Sequence, residues 1–264
     1  DAGARGTSTG RARQRLRSGL VVGEVALSLV LLVGAALMIR SFLGMQGVQP
    51  GFDPSNLLTV RLTLNGPSYD STYKRFAFYD RLLADLNGRP GIVSASITNN
   101  LPLGGSNNNS FFTVEGQPMV AGQEATLENR WVSPHYLETM KIPLRRGRMF
   151  TQQEWADSSA SGRVAVINEY MAQRYWGGAT NALGKRFTFD RKADSATWFT
   201  VIGVAADIKN RQLSTTRPEF QGYLPYRQGF WSTATIVVRT RADASQATSI
   251  VLGAIKQIDP LIPA

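Results

Sequence analysis

Residues 178–186 (GATNALGKR) carry the glycines and the lysine of a phosphate-binding loop. Such a loop needs four residues between its glycines and a Ser or Thr after the lysine, so that backbone N–H groups cradle phosphates and the hydroxyl holds magnesium. Here five residues separate Gly178 from Gly184, and Arg186 stands where the hydroxyl belongs. The stretch reads as a turn before a strand at residues 187–189. His135 is the single histidine, and there is no cysteine. Metal sites and Ser-His triads need partners at set geometry, so His135 reads as a helix-start or surface residue. Asp190, Asp194 and Asp207 could be imagined as an acid/base set, but their polar, loop-like settings make them solvated carboxylates. Arg145, Arg146 and Arg148 could hold an anionic group; a turn with a basic face is the plainer reading. Asn108, Asn109 and Ser110 match a glycosylation sequon, which is moot in a bacterial chain. Trp131, Trp155, Trp176, Trp198 and Trp231 are scattered, as core or interface residues are. No catalytic, cofactor-binding or metal-binding residue is assigned, and no cofactor is expected.

The elements around these residues begin with a long apolar run. Residues 20–39 (LVVGEVALSLVLLVGAALMI) contain Glu24 as the only charge. Twenty helical residues span roughly 30 Å, one hydrocarbon thickness. A core helix of a soluble domain would show a polar stripe. A signal peptide is the rival reading, with Gly34, Ala35 and Ala36 as its cleavage site. The run exceeds the usual apolar stretch of a signal peptide and continues through Leu37, Met38 and Ile39. The chain also opens on Asp1, as expected of a piece of something longer. Arg5, Arg11, Arg13, Arg15 and Arg17 precede the run, while Arg40 alone lies just beyond it. The positive-inside rule places the N-terminal arm in the cytoplasm and Ser41 onward outside.

The net charge of +10 invites a nucleic-acid reading, but residues 1–19 supply +4 of it, and the rest is thinly spread. The arginine arm abuts an apolar span and has no interleaved aromatics, so lipid headgroups are its nearer partner, and no nucleic-acid partner is expected.

Residues 46–56 form a Pro/Gly-punctuated connector. Residues 57–65 (LLTVRLTLN) read as a strand, and Asp70 or Ser71 can cap a helix over 72–87, on which Phe76, Tyr79, Leu83 and Leu86 recur at helical spacing beside Leu82. Residues 92–98 (IVSASIT) are a second strand, parallel to the first. A partner unit closes the chain. Its strand lies at 233–239, and a helix follows in which Asp243 and Gln246 have capping-box spacing and Ala247, Ile250, Val251, Ala254, Ile255 and Ile258 trace one face. Residues 261–264 read as the start of another strand. Between the two units, strands are expected at 111–115, 128–133 and 164–168, with a β pair at 184–189 and 198–204. Helices are expected at 134–140 and 169–176. The pattern is a split α+β domain with a second, β-rich lobe inserted.

The succession of short stretches resembles the MacB/FtsX-type permeases of ABC transporters, and in particular the duplicated permeases abundant in acidobacteria. The stretches are 15–42 (RLRSGLVVGEVALSLVLLVGAALMIRSF), 48–58 (VQPGFDPSNLL), 142–150 (IPLRRGRMF), 164–176 (VAVINEYMAQRYW), 183–187 (LGKRF), 201–213 (VIGVAADIKNRQL) and 223–228 (YLPYRQ). His135 departs from the small residue more usual there. The resemblance implies an α+β chain with one N-terminal transmembrane helix followed by a periplasmic split β–α–β, porter-like lobe and an inserted, mainly β lobe. It implies a basic cytoplasmic arm at 1–19, the span at 20–40 and a connector at 41–56. The split lobe would be 57–103 with 229–264, and the insert 104–228. Three further transmembrane helices would follow Ala264.

The implied function is that of a non-catalytic permease piece in the inner membrane. It would couple ATP hydrolysis by a cytoplasmic nucleotide-binding ATPase subunit to periplasmic movement or export of cargo. Its partners would be that ATPase, the bilayer and a second permease half in a dimer or pseudo-dimer; a periplasmic adaptor and an outer-membrane channel stay open. Two other readings stand beside it: a membrane-anchored periplasmic sensor or ligand-binding domain, and an enzyme released after Ala36.

Overall fold

The computed structural model describes residues 8–117, 124–157, 162–190, 197–229, 231–241 and 244–262. It divides into two units, Asp1–Val48 and Gln49–Ala264. The first is helix α1, Ser8–Gln46. Its described side chains are exposed throughout. Among the described residues it is the one helix long and apolar enough to cross a membrane, over Arg13–Gly44. Apolar side chains exposed all round a helix suit hydrocarbon rather than water.

The second unit is built on a mixed sheet. Strand β1 (Leu57–Thr63) pairs antiparallel with β11 (Thr233–Thr240), which pairs antiparallel with β2 (Ile92–Thr98). β1 and β2 are therefore parallel, with β11 slotted between them. Helix α2 (Thr72–Asn87) joins β1 to β2, and α7 (Ala244–Ile258) follows β11. Ser71 caps α2 by accepting from the Lys74 N–H, while Asp70 pairs with the Lys74 ammonium. α2 buries Phe76, Phe78, Tyr79, Leu82 and Leu86, and α7 buries Ala247, Val251, Ala254 and Ile255. The Tyr69 hydroxyl donates to Asp259 just past α7 at 2.7 Å, which ties the start of α2 to the end of α7. Asp243 lies outside the described residues, and so does any cap it makes.

The sheet continues through a narrow bridge in which Thr98 of β2 pairs with Val132 of β5 (Thr126–Val132). Beyond it come β10 (Phe220–Pro225), parallel to β5, then β7 (Val164–Asn168), β9 (Phe199–Ala205), β8 (Arg186–Thr188) and β4 (Thr113–Val114). β3 (Asn109–Phe111) pairs with β5, and β6 (Leu144–Gly147) with β9. Side chains alternate across a strand, and the two apolar cores follow that rule. Val164 and Val166 of β7 enter the core shared with α2 and α7, while Ala165 and Ile167 enter a second core with Phe187, Phe199 and Leu224. A strand buried on both faces reads as a continuous apolar run, as VAVIN does. α5 (Glu169–Trp176) follows it, capped by Asn168 and ended at Gly177 with φ 71°.

Four expectations are corrected. Residues 111–115 are not one strand, since β3 ends at Phe111 and β4 starts at Thr113. Residues 144–147 are a strand, not a turn; all four are exposed, so no alternation marked them, and backbone pairing to β9 alone defines the strand. Leu261 and Ile262 form a turn, in which Asp259 Oδ1 accepts from the Leu261 N–H, instead of opening a strand. The helix expected from 134 is α3, Tyr136–Met140.

Helix α4 (Gln152–Ala156) has a reciprocal capping box between Thr151 and Glu154. It seats Trp155 in the core at 2% exposure. Arg148 clasps the Glu154 carboxylate with two bonds, at 2.7 and 2.8 Å. That clasp, helped by the Thr151 N–H and opposed by burial, lowers the Glu154 carboxyl from 4.5 to about 2. A depressed carboxyl contributes stability that is complete above its unfolded value and is lost as pH falls through its folded value. Glu154→Gln is therefore expected to lower the neutral plateau and to flatten the loss of stability between about pH 4.5 and 2, read as urea midpoints by tryptophan fluorescence. A slope identical to the parent's would refute it.

Candidate coupling site

The residues that start the second unit are fastened to it by backbone bonds. The Pro50 carbonyl accepts from the Lys209 N–H at 2.8 Å, and the Asp53 N–H donates to the Met140 carbonyl at 3.0 Å. Gly51 has φ +86°, and a Cβ there would lie 2.5 Å from the Asp207 carbonyl oxygen and 2.9 Å from Ile208 Cα. Only glycine permits both that conformation and that approach. Phe52 packs on the first core. The Asn56 carbonyl accepts from the Thr240 N–H at the end of β11.

Arg239, 4% exposed, sits at the centre of this joint. Its guanidinium donates to the carbonyls of Thr139 at 2.6 Å and of Ser55 and Asp53 at 2.7 Å each. One planar fork thus holds α3 and residues 53–55 against β11. Asp53 lies 3.6 Å from it and 2.7 Å from the Lys141 ammonium. Hydrogen bonds from Lys141 and Ser55 hold the Asp53 carboxyl well below the usual carboxylate range. Burial pulls Arg239 below its ordinary value, though a guanidinium stays charged.

The segment that meets Gly51 reaches onward to the second core. Asp207 Oδ1 accepts from the Asn168 side chain at 2.7 Å and from the Tyr170 N–H at 2.9 Å. Burial raises its carboxyl above the ordinary value against those bonds. Asn168 also accepts from the Gln221 N–H and donates to the Glu219 carbonyl, and Gln221 donates to the Ile208 carbonyl at 2.7 Å. Residues 207–208 therefore touch the connector on one side and β7, α5 and β10 on the other.

Asp207 is thus a half-buried structural carboxylate and not a solvated one. Asp190 lies past the end of β8 opposite the start of β9, and Asp207 past the end of β9, so the antiparallel pairing puts them at opposite ends. Asp194 lies outside the described residues. Arg186 is held by Glu115 and stacks 5.6 Å from Trp198, in place of any magnesium-binding hydroxyl. Gly178 precedes a four-residue helix, α6 (Ala179–Ala182). His135 precedes α3 at the surface, with Nδ1 3.2 Å from Glu138. Arg145 pairs with Glu169. Among the described residues no three His, Asp or Glu side chains could share a metal. Arg239 closed the strand reading TATIVVR, and nothing in its neighbours announced three carbonyl acceptors; the Gly51 turn was visible only as Pro/Gly punctuation.

A model of the MacB-like periplasmic core domain matches residues 18–251. The chain belongs to this family. MacB-like core domains are parts of ABC transporter permeases, and here one follows an apolar N-terminal helix that marks a membrane protein with an extracytoplasmic domain. Among solved structures, the fold is similar to the periplasmic region of MacB from Actinobacillus actinomycetemcomitans, with 16% identity, 81% of this chain and 89% of that one covered, and a TM-score of 0.49. It is also similar to the extracellular domain of the noncanonic ABC-type transporter YknZ from Gram-positive bacteria, with 16% identity, coverage of 76% and 94%, and a TM-score of 0.46. A comparison with curated proteins gives no match.

Proposed function

We propose that this MacB-like core domain is the periplasmic end of a mechanical linkage. A cytoplasmic nucleotide-binding ATPase moves the span, and the span moves the lobes to displace or export periplasmic cargo. The observation that carries this reading is the docking of residues 50–56 onto β11, α3 and the 207–208 segment, which ties the start of the core domain to its sheet. The arginines before the span and Arg40 alone just after it support an inner-membrane orientation with the arm in the cytoplasm. In this reading 57–103 with 229–264 form the porter-like lobe and 104–228 the insert. The permease works as a dimer or pseudo-dimer, and engagement of an adaptor and outer-membrane channel stays open. The test is recovery of the tagged full-length parent from native membranes, with its partners identified by mass spectrometry. A nucleotide-binding subunit in near-equal amount is expected. Recovery without any ATPase, from a parent that also lacks one, would overturn the reading in favour of an anchored sensor or binding domain.

A further inference from the structure

A cleft of about 500 Å³ opens between the first turn of α2 and the segments flanking β7 and β10. Its lining is Thr72, Tyr73, Phe76, Ala156, Arg163, Arg227 and Gln228. The volume falls within the ordinary range for small-molecule sites. Tyr73 is 79% exposed, so the mouth carries an aromatic ring that the core does not use. Arg227 Cζ lies 5.3 Å from the Phe76 centroid and 5.9 Å from that of Trp155, and its guanidinium pairs with Asp80. Arg163 lies 5.4 Å from the Phe199 centroid, and no carboxylate pairs with it among the described residues. Polar atoms around the cleft are left over. Among the described residues, the Nε atoms of Arg163 and Arg227 and Oε1 of Gln228 are buried without a hydrogen-bond partner; Gln228 is 6% exposed, and its Nε2 donates to the Asp157 carbonyl at 3.1 Å. Buried polar atoms are normally satisfied, and an orphaned set around a cleft points to a missing ligand.

The chemistry of that ligand follows from the orphans. Two guanidiniums, with Asp80 as their single carboxylate partner among the described residues, call for an anion, preferably a planar carboxylate. The Gln228 oxygen calls for an N–H or O–H donor beside it. Tyr73 and Phe76 call for an apolar or aromatic body. We propose that this cleft binds a small amphiphilic anion, an acidic group carried next to an N–H and an apolar body, as in an N-substituted acidic amino acid. Such a ligand would bridge α2 of the porter-like half to Arg163 at the start of β7, whose ring partner Phe199 belongs to the second core. The proposal stands on the cleft alone and not on coupling to an ATPase, so its test contains none.

Dansyl-glutamate supplies the carboxylates, the N–H and the aromatic body, and it is fluorescent. Its polarization is titrated with the full chain in nanodiscs, against empty nanodiscs. Saturable binding is expected, weakened at least about tenfold in Arg163→Gln and partly kept in Arg163→Lys, as loss and retention of a charge-assisted contact require. Ala156→Trp, which fills the mouth and leaves both arginines in place, is expected to abolish it. Dansylcadaverine, with the same ring and the opposite charge, is expected not to bind. Each variant's thermal melt is run beside the titration; the Ala156→Trp arm does not depend on an arginine that the fold also uses. Absence of saturable binding would overturn the proposal. So would equal affinity in the parent and both the Arg163→Gln and Ala156→Trp variants, or equal affinity for dansylcadaverine.

Discussion

Replacing Gly51 by alanine is expected to free the connector from the core domain while leaving the rest of the sheet folded. The new Cβ would meet backbone atoms, the Asp207 carbonyl oxygen at 2.5 Å and Ile208 Cα at 2.9 Å, which cannot rotate away as a side chain would. The φ of +86° adds the strain of an L-residue in left-handed backbone. Together these cost about 2–4 kcal/mol. Residues 50–56 have the means to yield first, because few apolar contacts besides Phe52 hold them. Hydrogen exchange reads the result. Amide protection at Lys209, which bonds to Pro50, and at Asp53, which bonds to Met140, should fall about 30- to 1,000-fold. Amides of β7 should be unchanged. Under the linkage proposed above, cargo movement by the full transporter should fall while ATP hydrolysis persists. Undiminished protection at Lys209 and Asp53 would show that the joint tolerates the Cβ and would refute the prediction.

The larger loss of stability is expected from Arg239→Leu. Leucine fits a strand, but it leaves the buried carbonyl of Thr139 and the part-buried carbonyls of Asp53 and Ser55 without their donor. Each unsatisfied buried carbonyl costs about 1–3 kcal/mol, and partial hydration brings the sum to about 3–5 kcal/mol. Arg239→Lys should recover less than half, because an ammonium cannot match the spread of a fork that reaches α3 and the connector together. Urea midpoints from tryptophan fluorescence decide the matter. A loss under about 1 kcal/mol for leucine would mean that water replaces the arginine freely.

Much of the frame was legible because it obeys simple periods. α2 and α7 bury nearly the faces that helical spacing marked, and VAVIN announced a strand covered on both sides. The span stood out by length alone. Other elements were hidden for identifiable reasons. β10 sits at the middle of the sheet, yet its sequence holds Gly222 and ends at Pro225, which argue for a loop; the glycine is there because a Cβ would press 2.9 Å from Leu127. β6 is exposed at every position and has no apolar code. The joint at residues 50–56 was least legible of all. It is made of backbone carbonyls gathered from residues 50–56, 139–140 and 207–209, and carbonyls carry no sequence signature. Arg239 and Asp207, which collect them, look from the sequence like any strand-end or loop charge.

The slot that β11 occupies has a consequence for how the chain is made. Leu57 pairs with Arg239 and Thr63 with Thr233, and β2 meets β11 on the other side. Neither β1 nor β2 has its main partner until the end of the domain leaves the ribosome. At about 5–20 residues per second, the roughly 170 residues between them delay pairing by about ten to thirty seconds. During that time both strands display open edges, and the apolar face of α2 has no sheet to cover. The segment from β7 to β9 meets its partners within about 40 residues and can settle first. The half nearest the membrane in sequence is therefore the last to close, and nascent chains interrupted before residue 240 are the ones that require a holding chaperone.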